Sequence, residues 1–301
     1  MINAAIADFL SHLQLLTRAS EHTCRNYKND LMIFQNFLEK NHGSPTLHSI
    51  DKRVIRQFML EESEKTSTRS LARRLSSLRS FFKFCLKTKK LSSNPMETIE
   101  TPKISRTIPK TLTYEQIHHF LELPDISTYL GFRDKTIMEL FYSSGIRVSE
   151  LAALNKEDFD HQELLLKVQG KGNRERIVPM TENAALWISN YLTHPSRHLS
   201  SKDHVAEKDP HAIFLNKLGS RLSTRSIDRL FRHYFQLSGF TTTITPHIIR
   251  HSIATHWLEQ GMDLKTIQKI LGHTSMATTT IYTAVSTTRK KQAIKDHHPR
   301  G

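Results

Sequence analysis

The sequence predicts a mostly α-helical protein of two domains, the second of which also carries a small β-hairpin. Three observations support this reading. Apolar residues recur every three or four positions through most of the chain, which is the period of a helix with one buried face. A proline-rich stretch without that period interrupts it near residue 100. A single pair of short apolar segments flanks Gly170-Lys171-Gly172-Asn173.

The first domain is assigned to residues 1–91. Ile2, Ile6, Phe9, Leu13 and Leu16 form one helical stripe, and Tyr27, Leu31, Phe34 and Leu38 form a second, with Ser20 suited to cap the second helix. After a turn at Gly43-Ser44-Pro45, a short helix is expected from about Asp51. A longer one follows, on which Leu71, Leu75, Leu78, Phe82 and Cys85 mark the buried side. Four such helices make a small bundle. On the last of them, Arg69, Arg73, Arg74 and Arg79 fall mostly off the apolar stripe, where they could reach phosphates or form a solvated face.

Residues 92–110 contain three prolines and no periodicity, so they read as an extended linker, and the second domain is assigned to residues 111–301. It opens at Thr113-Tyr114-Glu115-Gln116, a sequence that can close a capping box, and continues through a helix near Lys135 to Tyr142. Leu164 to Val168 and Arg174 to Val178 form the hairpin. The polar segment 195–211, with two prolines, is expected to be a surface loop, and helices resume at about Ser223.

The chain has 301 residues and a formal net charge of +14, with an excess of seven positive charges on each side of residue 105. Both domains are therefore basic, which suits a protein that grips a polyanion from two sides. Cys24 and Cys85 are too few for a disulfide framework or a four-thiolate metal site and read as core fillers. No apolar run reaches the ~20 residues needed to span a bilayer, and no signal-peptide pattern opens the chain, so a cytoplasmic protein is expected.

Chemistry concentrates in six residues of the second domain. Arg147 follows Gly145-Ile146, and Glu150 lies three positions later, where it could orient the guanidinium. Lys171 sits between two glycines at the hairpin tip. His247 and Arg250 share one face of a helix that starts after Pro246. Gly272 reads as a helix C-cap that leaves His273 at a tight turn, and Tyr282 lies nine residues beyond. Each has a plainer reading alone: a surface arginine, a turn lysine, a structural histidine, a half-buried tyrosine. Together they supply the cations and protons that displacement at a phosphodiester requires.

Their order resembles the tyrosine recombinases, also called the lambda-integrase family, and the resemblance covers nearly the whole chain. Residues 20–41 and 67–95 are similar to the family's helical, SAM-like core-binding domain, and residues 112–285 to its mixed α/β catalytic domain. The length and the ending His297-His298-Pro299-Arg300 look most like the Xer branch. The resemblance implies that Tyr282 attacks the scissile phosphate to form a 3′-phosphotyrosyl link. It also implies that Lys171 protonates the departing 5′ oxygen, that Arg147, Arg250 and His273 hold the phosphate, and that His247 assists proton transfer at the tyrosine. It further implies a double-stranded DNA site, a tetramer of identical or related subunits working through a Holliday junction, resolution of chromosome or plasmid dimers, and a DNA translocase as a candidate partner. No metal or nucleotide cofactor is expected. Ala284 and Ile253 depart from residues frequent in relatives, histidine and an aromatic respectively, at positions outside the catalytic set.

The tail from about Ser286 to Gly301 is expected to act between subunits. It carries Arg289, Lys290, Lys291 and Lys295 but little apolar surface beyond Ala293 and Ile294, too little for a stable independent helix. Phage or plasmid integration is the alternative activity. A catalytically silent DNA-binding protein of the same fold is the alternative from another class, against which all six positions are filled. A zinc hydrolase built on His247, His251 and His256 lacks the glutamate of a His-Glu-x-x-His helix.

Overall fold

The computed structural model describes residues 2–15, 21–43, 46–103, 111–170, 175–240 and 245–272. The chain divides into two compact units, Met1–Thr107 and Ile108–Gly301. Among the described residues, no helix is long and apolar enough to cross a membrane.

The first unit holds α1 (Ile2–Leu15), α2 (Glu21–His42), α3 (Lys52–Lys65) and α4 (Thr68–Lys87). Its core is rich in phenylalanine: Phe34, Phe58, Phe81 and Phe82 are fully buried, with edge-to-face contacts between Phe34 and Phe58 and between Phe81 and Phe82. Truncating any one of these rings to alanine would cost about 3–5 kcal/mol through lost burial and the cavity left behind. The expected stripe on α4 is buried throughout. Cys24 and Cys85 are both buried, and burial pushes the Cys85 thiol up to about 11, as suits an inert filler. α3 is longer than the short helix expected. The Asp51 carboxylate caps it by accepting from the backbone N–H groups of Arg53 and Val54, at 2.8 and 3.0 Å. Ser20, Leu16 and the Ser44-Pro45 part of the turn lie outside the described residues.

The expected linker is partly folded. Leu91, Met96 and Ile99 are buried in the first core, and Arg79 of α4 donates to the Ile99 carbonyl at 2.9 Å and to Thr101 Oγ1 at 3.2 Å. The prolines do break the helical period, yet Met96 and Ile99 supply enough apolar surface to hold the strand of chain against the bundle.

The second unit contains α5 (Tyr114–Leu121), α6 (Tyr129–Ser144), α7 (Val148–Ala153), β1 (Phe159–Asp160), β2 (Leu165–Gln169), β3 (Glu175–Pro179), α8 (Glu182–Leu192), α9 (Thr224–Leu237), α10 (Pro246–Glu259) and α11 (Leu264–Leu271). The strands form an antiparallel sheet in the order β1-β2-β3, with Leu166 opposite Val178 and Val168 opposite Arg176. The Thr113 capping box forms: Gln116 N donates to Thr113 Oγ1, and Thr113 N donates to Gln116 Oε1. Ile137, Leu140 and Phe141 of α6 join Phe120, Ile188, Phe231 and Ile253 in one core.

Segment 195–211 is more than a surface loop. Arg197 is 1% exposed, donates to the carbonyls of Ala212 and Ile213 at 2.7 and 2.8 Å, and pairs with Glu207 at 3.2 Å. Its guanidinium also lies over the Tyr191 ring. An arginine in a polar stretch carries no periodic signal, so only the tertiary structure exposes its role as an internal clamp.

Candidate active site

Three arginines from separate elements converge on the carboxyl end of α11. A helix end leaves its last carbonyls unpaired and partially negative, which favours cations there. Arg176 of β3 donates from Nε to the Ile270 carbonyl at 3.1 Å. Arg250 of α10 donates from Nη2 to the Leu271 carbonyl at 2.5 Å, and Arg147, at the start of α7, donates from Nη2 to the Gly272 carbonyl at 2.7 Å. Arg250 also donates from Nη1 to the carbonyl of Gly145.

Local sequence builds this convergence. Pro246 at the first turn of α10 needs no amide partner, and it sets the register that buries Arg250 and leaves His247, the second residue of the helix, more open than Arg250. Gly145 ends α6 at φ +58°, and Gly272 ends α11 at φ +63°, both in the left-handed region. A Cβ on Gly272 would lie 2.9 Å from Arg176 Nε, and one on Gly145 would lie 2.8 Å from a Leu271 methyl. Glycine is needed at both sites for backbone conformation and for close approach.

Glu150 organises the charge. It is 3% exposed and accepts from Arg147 N at 2.7 Å and Arg147 Nη1 at 2.8 Å, and from Arg176 Nη1 and Nη2 at 2.7 and 2.9 Å. Burial alone would raise its pKa, but the hydrogen bonds and charges of the two arginines outweigh that and hold the carboxyl below its usual range. A buried carboxylate of this kind persists because several charge-assisted hydrogen bonds offset its desolvation. His247 is lowered by partial burial and then by the Arg250 charge, so its imidazole is neutral near pH 7 and can accept a proton. His251, one turn further, is lowered to about 4 by burial and by His247.

Of the six catalytic candidates, Arg147, His247 and Arg250 are therefore described, together with the supporting Glu150, and Arg147, Arg250 and Glu150 meet at the end of α11. Lys171, His273 and Tyr282 lie outside the described residues, as do Ala284 and the tail. In the sequence, Gly272 precedes His273, and Lys171 falls between the end of β2 and the start of β3.

The α4 arginines divide differently from expectation. Arg73 donates to the fully buried Asp30 at 2.5 Å, Arg74 pairs with Glu62 and is only 14% exposed, and Arg79 is held by the Ile99 carbonyl. Arg69 is exposed on the first turn of the helix. Arg74 and Arg79 thus serve the bundle rather than an open groove, because the carboxylates and carbonyl that claim them come from other elements.

Two features escaped the sequence reading. Arg176 stands opposite the buried Val168 and two residues before the buried Val178, so strand alternation turns it inward, while Ile177 is 65% exposed. An arginine at an inward strand position was the available signal. On α9, Arg225, Arg229 and Arg232 are all exposed and lie three or four residues apart, opposite a face formed by Ile227, Leu230, Phe231 and Tyr234. Among the described residues, no group of histidine, cysteine and carboxylate side chains could hold a metal ion, and His256 is engaged with the Leu112 carbonyl and Tyr142.

Known proteins match at each level. The profile described as Phage integrase family covers residues 110–289, and that described as Phage integrase, N-terminal SAM-like domain, covers residues 6–89. The chain is 47% identical to Tyrosine recombinase XerC of Chlamydia caviae over 99% of both chains. In fold it is similar to the XerH site-specific recombinase bound to a palindromic difH substrate in a post-cleavage complex. That likeness has a TM-score of 0.75 and 22% identity, over 92% of this chain and 80% of that one. It is also similar in fold to a lambda integrase dimer bound to a COC′ core site, at a TM-score of 0.72 and 17% identity over 93% and 94%. With both units matched by family profiles and a relative 47% identical over nearly the whole length, the chain belongs to the phage integrase family and is a tyrosine recombinase, an enzyme that cuts and rejoins DNA in site-specific recombination.

Proposed function

We propose that Tyr282 is the nucleophile and that Arg147, Lys171, His247, Arg250 and His273 complete the catalytic set. The observation that supports this reading is the capping of the last α11 carbonyls by Arg147 and Arg250, immediately before His273. A phosphate at this helix end would meet two guanidiniums, one of them shared with the Glu150 carboxylate, and would be held through forked hydrogen bonds.

Chemistry then proceeds by exchange of one ester for another. The Tyr282 oxygen attacks phosphorus while the bond to the 5′ oxygen breaks. His247 takes the phenolic proton, Lys171 delivers a proton to the leaving oxygen, and a 3′-phosphotyrosyl link remains. Attack by a 5′ hydroxyl from the partner duplex reverses the step and frees the tyrosine. Bond energy is conserved in the covalent link, so no nucleotide or metal is consumed. The exposed arginines of α9 and Arg69 of α4 contribute phosphate contacts.

The substrate is a double-stranded recombination site occupied by identical or related subunits, and the biological product is monomeric chromosomes or plasmids. The basic tail after Ser286 links subunits and ties Tyr282 to assembly. A DNA translocase is the candidate regulatory partner, and the cytoplasm is the compartment.

The test is covalent trapping on nicked DNA that carries the site. Wild-type chain should form an adduct, with or without EDTA, and Tyr282→Phe should bind the same DNA without forming one. An adduct with Tyr282→Phe would transfer the nucleophile elsewhere. Lys171→Ala should regain cleavage on a 5′-bridging phosphorothiolate, because sulfur leaves without a proton; equal impairment on both substrates would remove Lys171 from that role. Sequencing the trapped DNA separates dimer resolution from integration: the first predicts one site per replicon, the second a mobile-element junction.

A further inference from the structure

We propose that Arg176 is a positioning residue for the cleavage step, acting on the phosphate through Glu150 and Arg147. The inference rests on the reading that Arg147 holds the scissile phosphate.

The two guanidiniums on Glu150 are differently committed. Arg176 places all three nitrogens on protein acceptors, with Nη1 and Nη2 on the two Glu150 oxygens and Nε on the Ile270 carbonyl, and its side chain is 17% exposed. Arg147 places Nη1 on Glu150 and Nη2 on Gly272, and its side chain is 40% exposed. Of the pair, Arg147 is open to a ligand and Arg176 is turned into the protein.

Removing Arg176 would leave Glu150 buried with a single guanidinium partner. The carboxylate would then be free to draw Arg147 inward and to accept from it in both directions, which weakens the fork offered to phosphate. The same loss would leave the Ile270 carbonyl without the arginine that caps it, loosening the turn that precedes His273. Strand position strengthens the assignment. Arg176 pairs with Val168 across β2 and β3, the strands that flank Lys171 in the sequence, so one side chain joins the sheet, the Glu150 carboxylate and the end of α11. An inward strand position ordinarily holds an apolar residue, and placing arginine there while Ile177 faces solvent is a local sacrifice of burial that a structural role alone does not require.

The test measures single-turnover cleavage of a nicked site, binding to an uncleavable half-site, and urea unfolding, on the full chain. Arg176→Ala should slow cleavage by roughly tenfold or more, a smaller loss than removal of a direct phosphate donor, while half-site binding changes less than about threefold, since Arg176 is turned into the protein and touches no phosphate. Arg176→Lys keeps the charge without the fork and should fall between wild type and alanine; it also serves as the reporter if the alanine variant does not fold. The decisive comparison is with Arg147→Ala. If Arg176 acts through Arg147, the double variant should be at least ~3-fold faster than the product of the separate losses predicts, the sign of coupled residues. Fully multiplicative losses, or a cleavage loss accounted for by unfolding, would overturn the inference. An Arg147→Ala variant that cleaves normally would instead refute the phosphate-clamp reading on which it rests.

Discussion

Two arginine clusters, one in each unit, are built in opposite ways. In the first, Arg73 and Arg74 of α4 face Asp30 and Glu62, one carboxylate for each guanidinium, and Ser77 adds a hydrogen bond to Asp30 at 2.7 Å. At the end of α11, Arg147 and Arg176 share the single carboxylate of Glu150, and Arg250 is held by the carbonyls of Gly145 and Leu271. The α4 pairs are matched charge for charge, whereas at the end of α11 two guanidiniums share one carboxylate, a local surplus of positive charge. That surplus, rather than the number of arginines, separates the proposed phosphate site from a structural pair, because neutral carbonyls position a cation without neutralising it.

The sharpest test is to delete one arginine from each setting. Arg147→Ala or Arg250→Ala should slow adduct formation at least ~10²-fold, the typical effect of removing one preorganised donor to a developing oxyanion. Arg74→Ala should leave cleavage per folded molecule unchanged. Losses below tenfold at both catalytic-unit positions would erase the distinction.

Stability should respond in the opposite sense. Glu62→Ala leaves Arg74, only 14% exposed, without its close partner, although Asp30 remains 4.0 Å away. Breaking a buried pair costs about 3–5 kcal/mol, and the residual exposure of Arg74 places this case near the lower end. Urea unfolding of the first unit should report a loss of about 3 kcal/mol, with the surviving folded protein cleaving at the wild-type rate.

What the sequence made legible was local. The Thr113 box, Pro246 at the start of α10, the Gly272 cap and the buried stripe of α4 each follow from residues a few positions apart, so backbone geometry enforces them wherever the rest of the chain lies. Arg147, Glu150 and Arg250 were identifiable because residue types and order carried the resemblance. Arg176 and Arg197 were not, since each is defined by partners from other elements: Ile270 and Glu150 for the first, Glu207 and Ile213 for the second. The same reason explains the α4 arginines. A helical wheel places Arg74 beside the apolar stripe but contains no information about Glu62 on α3.

Acid should act mainly on the catalytic unit. His251 has a folded pKa of about 4 against an ordinary 6.5, set first by burial and then by His247. Between these values the unfolded chain binds a proton that the folded chain refuses, so stability falls as pH drops from about 6.5 towards 4, by up to about 3 kcal/mol. His251→Gln should flatten that slope in urea titrations of the full chain. A slope unchanged by the substitution would assign the acid response to another group.

The smallest expected effects concern the outer side of α4, where the comparison becomes a test of which arginines meet DNA. Arg69 is exposed on the first turn, whereas Arg79 donates to the Ile99 carbonyl and Thr101 and is committed to holding the chain that follows the bundle. A phosphate contact releases condensed counterions, so losing one should reduce the slope of log affinity against log salt by about 0.9. Arg69→Ala should show that reduction and weaken half-site binding evenly across DNA sequences, as a backbone contact carries no base information. Arg79→Ala should leave the salt slope intact and instead lower the unfolding midpoint of the first unit. If the two variants exchange these behaviours, Arg79 leaves its carbonyl when DNA arrives, and the structural use of arginine in the bundle is a resting state rather than a fixed one.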